Sequence, residues 1–155
     1  MSPAERTRPT GRDRLRDSTL AGDLSFLLAR ANARALAAAN TALAAHGLKA
    51  RSYSVLALAA DDVRPTQREL AEFLHLDPSQ VVALIDGLEQ RQLVERHADP
   101  ADRRANVLTA TDAGRALFAR AQDAVRAVGL DSLASMTPRD HERLAHLLRL
   151  LAFPD

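Results

Sequence analysis

From Leu20 onward apolar residues recur at steps of three and four: Leu20, Leu24, Leu27, Leu28, Ala31, Ala35 and Ala39 share one face of a long helix. Gly47, suited to the left-handed conformation that closes helices, marks its expected end. A second helix is expected at about 50–60, where Tyr53, Val55, Leu56 and Leu58 crowd more than one side before the polar Asp61-Asp62 and Pro65. Thr66-Gln67-Arg68-Glu69 then has the form of a capping box, in which the Thr66 hydroxyl accepts from the amide three residues on and Glu69 reaches back. It predicts a short helix from Thr66 to Leu74. After only His75 and Leu76, Asp77-Pro78-Ser79-Gln80 offers another start, with Asp77 as N-cap, Pro78 pre-set for the first helical position and Gln80 in the box position. This helix is expected to reach about Gln90, with Val81, Leu84, Ile85 and Leu88 on one stripe and Ser79, Gln80, Ala83 and Asp86 pointing elsewhere.

The period then changes from helix to strand. Leu93-Val94-Glu95-Arg96-His97 and Asn106-Val107-Leu108-Thr109 are two short runs divided by a polar turn at 98–104 that contains Pro100, and they predict an antiparallel ribbon. Thr111 caps a further helix expected from Asp112 to about Val128, broken by Gly129. Thr137-Pro138-Arg139-Asp140 starts a last helix carrying Leu144, Leu147, Leu148 and Leu151. Residues 1–18, with Pro3, Pro9, Gly11 and five Arg, read as a flexible N-terminal arm.

Composition supports this layout. The 155 residues suit one domain with an arm, and 31 Ala and 25 Leu against 3% aromatics favour helix. The expected fold is mostly α with a small two-stranded β-wing. The absence of Cys excludes disulfide scaffolds, thiolate metal centres and thiol nucleophiles. No apolar run is long enough for a membrane span and the Arg-bearing N-terminus has no signal-peptide core, so a soluble cytoplasmic protein with no membrane partner is expected. His141 and His146 are out of phase for shared ligation, and His46, His75 and His97 fall in different elements, so neither metal nor cofactor is expected. No Ser-His-Asp set, paired carboxylates or Gly-rich phosphate loop stands out, and the chain does not read as an enzyme.

Two short helices joined by a tight turn and followed at once by a ribbon describe a winged helix-turn-helix, whose second helix fits the major groove of double-stranded DNA while the wing tip reaches the adjacent backbone or minor groove. Arg103 and Arg104 sit together at that tip. The same geometry also serves plain packing, so a helical protein–protein interaction module, such as an antirepressor or DNA mimic on a winged-helix scaffold, stands as the alternative.

The run from Thr66 to Gly114 resembles the MarR family (multiple-antibiotic-resistance regulators). The matching residues are Gln67, Glu69, Leu70 and Ala71, then Asp77-Pro78-Ser79-Gln80-Val81-Val82, then Asp86-Gly87-Leu88-Glu89-Gln90-Arg91 leading to Leu93-Val94-Glu95-Arg96. The most specific piece is Asp99-Pro100-Ala101-Asp102-Arg103-Arg104-Ala105-Asn106 followed by Leu108-Thr109-Ala110-Thr111-Asp112-Ala113-Gly114. The resemblance implies a homodimeric, ligand-responsive transcriptional regulator, usually a repressor, on a pseudo-palindromic operator, with a recognition helix at about 78–90 and a wing at about 93–109. By that likeness Ser79, Gln80 and Val82 meet the groove, and Arg103 and Arg104 tip the wing with Asp102 bracing one of them. The family often has a cation near Ala83, so recognition here leans on Gln80, whose amide pairs with adenine. It usually has Gly where Gln92 stands, so either a strained left-handed residue or a different helix exit is expected.

The organisation that follows is an arm at 1–18, a helical dimerisation region at 19–47 and 112–155, and a DNA-binding lobe at 48–111. The Leu144, Leu147, Leu148, Leu151 and Phe153 stripe, with Leu117, Ala121, Ala124, Val128 and the Leu20 to Leu28 face, exceeds what one such lobe covers, so a second subunit is the expected cover, with a larger monomeric core as the alternative. The resemblance also implies a small anionic aromatic effector, for which Phe26, Arg30, His46, Arg51, Tyr53 and Arg115 are the candidate contacts. The net charge of +1 conceals an acidic lobe: residues 61–115 carry seven basic and eleven acidic side chains. DNA contact must therefore be focused at Arg103, Arg104, Arg68 and the Arg-bearing arm, with the helix starts at Thr66 and Asp77 donating amides to phosphates, and Thr66, Gln67, Pro78 and Ala83 complete the candidate DNA-binding set.

Overall fold

Local chemistry sets where each helix begins. The computed structural model describes residues 11–61, 63–99 and 105–154, and the chain divides into two compact units, residues 1–36 and 37–155. In the first, part of the segment read as an arm is helical: α1 spans Gly11–Arg16. A 3-10 turn at Thr19–Gly22 follows, and α2 begins only at Leu24 and runs to Ala44. The long helix therefore does not start at Leu20 as its periodicity suggests. Asp23 adopts an extended conformation (φ −72°, ψ 126°) and its Oδ1 accepts the Phe26 amide at 2.8 Å, which makes it the N-cap that the apolar spacing conceals.

In residues 37–155, α3 (Ala50–Ala60), α4 (Gln67–Leu74) and α5 (Pro78–Gln90) pack together and are followed by β1 (Val94–Ala98) and β2 (Asn106–Ala110). The strands are antiparallel, with Val94 opposite Ala110 and Ala98 opposite Asn106. The ribbon is fixed to the start of α4 by a Thr66–Val107 bridge and by the Leu108 amide, which donates to the Pro65 carbonyl at 2.9 Å. The core is aliphatic: Leu43, Val55, Leu56, Leu70, Val81, Ile85, Leu88 and Leu108 are all at most 2% exposed.

The sixth helix, α6, spans Asp112–Ser132 and passes through Gly129, where a break was expected. Glycine inside a helix costs only about 1 kcal/mol relative to alanine, which does not stop a helix on its own. Leu117 and Ala121, expected on a subunit interface, are instead 8% and 0% exposed in the lobe's own core, because α6 packs along α3. The last helix, α7 (Pro138–Ala152), contributes no buried residue. Its capping box is complete: Thr137 Oγ1 accepts the Asp140 amide at 3.2 Å and donates to the Asp140 carboxylate at 2.6 Å. No helix is long and apolar enough to cross a membrane among the described residues.

Candidate nucleic-acid interface

The two helices of the turn are capped as their sequence requires. Thr66 Oγ1 accepts the Glu69 amide at 3.2 Å while the Glu69 carboxylate accepts the Thr66 amide at 2.7 Å. Asp77 Oδ1 accepts the Ser79 amide at 2.8 Å, and Gln80 reaches back to the Asp77 amide at 3.4 Å. The Thr66 amide and hydroxyl hold the Glu69 carboxyl below its ordinary value, and the Ser79 hydroxyl and amide do the same to Asp77. The helix starts expected to face phosphates thus already engage the amides of Thr66, Glu69 and Ser79 internally. Arg68, a candidate phosphate contact, pairs with Glu72 one turn on at 2.8 Å and stays highly exposed.

Three helices, α2, α4 and α5, end in the same way. Gly47, His75 and Gln92 all have positive φ (64°, 50° and 57°), and in each case the following amide turns back to a carbonyl five residues earlier: Leu48 to Leu43, Leu76 to Ala71 and Leu93 to Leu88, at 3.0–3.1 Å. These are Schellman closures, with leucine at the position that anchors each into the core. Only the first uses glycine. At Gln92 the chain keeps the left-handed exit that glycine would favour, in place of a different route out of the helix.

Between these closures α5 buries Val81, Ile85 and Leu88 and leaves Pro78, Ser79, Gln80, Val82 and Ala83 exposed. One side of the helix is thus free to enter a groove while the other is locked to the lobe. Gln67 and Thr66 are partly covered at the start of α4. Asp102, Arg103 and Arg104, the expected wing tip, lie outside the described residues. Just before it the Asp99 amide donates to the Ala105 carbonyl at 2.9 Å and closes the ribbon.

Two arginines that sequence reasoning did not single out tie α5 and the chain after it to their surroundings. Arg91, immediately after α5, donates from Nη1 to the Gly47 carbonyl at 2.7 Å and from Nη2 to the His46 carbonyl at 3.2 Å, satisfying the end of α2. Arg96 of β1 donates from Nη2 to Asp86 and from Nη1 to Glu89, both on α5, and its side chain is 21% exposed. Their partners lie 7 to 45 residues away on other elements, a separation that leaves no periodic trace in a sequence.

The candidate effector contacts are distributed. Phe26 and Arg30 belong to residues 1–36, whereas His46, Arg51, Tyr53 and Arg115 belong to residues 37–155. Tyr53 lies 5.7 Å from Phe118, ring to ring, and burial pushes its phenol above the ordinary value of 10.0 against the opposing field of Arg126. Arg115 Nη1 donates to the Ala60 carbonyl at 3.4 Å, and Arg51 is exposed. An open, apolar cleft of about 520 Å³ lies elsewhere, along α4, lined by Leu58, Val63, Pro65, Glu69, Leu70, Glu72 and Phe73. None of the candidate effector residues lines it. Among the described residues no group of three His, Asp or Glu converges as metal ligands.

Comparison with known proteins places this geometry in a family. The MarR family model matches residues 48–105. A putative transcriptional regulatory protein for the hcr operon of Thauera aromatica is 30% identical over 134 residues, covering 86% of this chain and 81% of that protein. A MarR-family transcriptional regulator from Rhodococcus sp. RHA1 superposes with a TM-score of 0.84 at 38% identity, over 90% of this chain and 99% of that one. CouR from Rhodococcus jostii RHA1, solved with p-coumaroyl-CoA, gives 0.81 at 39% identity, over 90% and 98%. CouR, described as a transcriptional repressor, has also been solved on a 23-mer DNA duplex, and that structure gives 0.77 at 34% identity, over 86% and 94%. The chain belongs to the MarR family, whose members are winged helix-turn-helix transcriptional regulators and not enzymes.

Proposed function

We propose that this protein is a homodimeric, ligand-responsive transcriptional repressor of the cytoplasm that binds a pseudo-palindromic operator. The observation that carries the reading is the uncovered side of α5, with Ser79, Gln80, Val82 and Ala83 exposed on a helix whose other side is locked into the lobe. Ser79, Gln80 and Val82 contact base edges, Gln80 favouring adenine, with Pro78 and Ala83 against the groove wall. Thr66, Gln67 and Arg68 lie along one phosphate strand, and Arg103 and Arg104 reach the backbone or minor groove beside it, with Asp102 bracing one of them. The exposed leucines of α7 pair two subunits, which sets two recognition helices roughly 34 Å apart, one turn of DNA.

The similarity to CouR, which binds p-coumaroyl-CoA, supports an aromatic acid or its CoA thioester as effector, with contacts at His46, Arg51, Tyr53 and Arg115. Its binding releases the operator. Fluorescence anisotropy on the DNA upstream of the protein's own gene tests the reading. Wild type binds with an affinity that falls as salt rises, Arg103→Ala/Arg104→Ala binds weakly, and an aromatic acyl-CoA lowers the affinity. Equal binding by the double variant removes the wing from the interface.

A further inference from the structure

The groove-facing stripe of α5 is not neutral. Ser79, Ala83, Asp86 and Gln90 follow one another at steps of four, three and four, so they line one side of the helix, opposite Val81, Ile85 and Leu88. Asp86 therefore puts a carboxylate beside the groove contacts, and Glu89 stands on the adjoining flank. Both remain substantially open to solvent, at 47% and 38%. Two carboxylates at this distance from a phosphate backbone would oppose binding. Each is instead held by a separate nitrogen of Arg96. That guanidinium is itself mostly covered and comes from the ribbon, not from the helix. It is too covered to serve as a phosphate contact, yet it is placed to cancel charge on the surface that meets DNA.

We propose that Arg96 is a positioning residue that masks Asp86 and Glu89, and that operator affinity depends on this neutralisation. The proposal rests on α5 being the groove helix. The Arg fork is suited to the task because its two terminal nitrogens engage two acids at once, which a lysine ammonium on a flexible stem does less well. The arrangement also lowers the acidic excess on the helix itself, because the two acids within α5 are both paired to one arginine.

The test uses the full-length protein and the duplex that wild type selects from a random-sequence pool. Arg96→Met is expected to bind about ten- to a hundredfold more weakly, the range for uncovering like charges at an interface. Arg96→Lys falls between the two. Arg96→Met combined with Asp86→Asn and Glu89→Gln is expected to recover most of the lost affinity, because the charges to be masked are gone. Asp86→Asn/Glu89→Gln with Arg96 intact should bind more tightly than wild type, and this variant keeps the test decisive where Arg96→Met fails to fold. A triple variant as weak as Arg96→Met, despite a native melting curve, would mean that Arg96 only pins the ribbon, which overturns the proposal. Weaker binding or altered base preference in Asp86→Asn/Glu89→Gln would make Asp86 a base reader, and also overturns it. Failure of wild type to select any duplex removes the groove reading itself, a result distinct from these.

Discussion

Gly114 is fixed by a collision that no local rule foretells. A Cβ at this position would overlap the Leu93 carbonyl oxygen and lie 2.9 Å from its carbon. That carbonyl is immobile, since it accepts the Thr111 amide at 3.1 Å, while Thr111 Oγ1 donates to the Gln92 carbonyl at 2.7 Å and accepts the Gly114 amide at 3.0 Å. The Thr-x-x-Gly spacing was legible in the sequence as a helix start; the reason for its glycine, the Leu93 carbonyl just ahead of β1, was not. Gly114→Ala is expected to destabilise the protein by about 3 kcal/mol or more, as backbone overlap in a packed site does, and urea unfolding measures it. Gln92 is the opposite case. Its left-handed φ of 57° costs a side-chain residue roughly 1 kcal/mol, against which glycine's greater unfolded-state freedom sets a slightly smaller penalty. Gln92→Gly should therefore leave stability unchanged or raise it by a few tenths of a kcal/mol, and a loss above about 1 kcal/mol would show that the Gln92 side chain does something beyond closing α5.

Helix boundaries were legible where a side chain writes them and obscure where only spacing does. Thr66, Asp77 and Thr137 announce α4, α5 and α7, and each makes its expected cap. Asp23 was missed because apolar residues continue at helical spacing across it, and Gly129 was overread because an exposed glycine weakens a helix without ending it. The caps make the turn sensitive to acid. Glu69 and Asp77 are held below their ordinary values by hydrogen bonds to their charged forms. Each is thus depressed in the folded state, so its stabilisation is complete above the unfolded pKa, near 4, and is lost as pH falls through the lower folded value. Glu69→Gln and Asp77→Asn should accordingly be less stable than wild type at neutral pH and converge with it below about pH 4, as followed by thermal melts across the acid range. Thr66→Ala removes the same box without removing a charge. It should cost about 0.5–2 kcal/mol with little dependence on pH above the carboxylate range.

At the scale of the whole molecule the question is what covers leucine. Leu147, Leu148, Leu150 and Leu151 of α7 are 52%, 44%, 59% and 62% exposed, whereas Leu43, Leu56 and Leu70 are fully buried. The excess of apolar residues was legible in the sequence, but its assignment was not uniform: Leu117 and Ala121 serve the lobe's own core, whereas the exposed leucines fall on α7 and also at Leu15, Leu20, Leu24, Leu27 and Leu36. Exposed apolar patches mark contacts with another protein, a membrane or a ligand, and under the proposed function the partner is a second copy of this chain. A symmetric pair that buries them would join two groove helices of modest individual strength into one reader of a two-fold operator. Leu147→Glu/Leu151→Glu separates these contributions, because both positions are exposed in the single chain and neither belongs to the lobe core. The double variant is expected to sediment as a monomer with the helical signal of wild type retained. Its affinity for a full operator should fall about 10²–10⁴-fold, the advantage that linking two binding events confers, while its affinity for an isolated half-site stays that of one wild-type lobe. A variant that remains dimeric would move the subunit contact away from α7. A monomer that still binds the full operator at wild-type strength would mean that one lobe suffices, and that the paired leucines serve something other than DNA recognition.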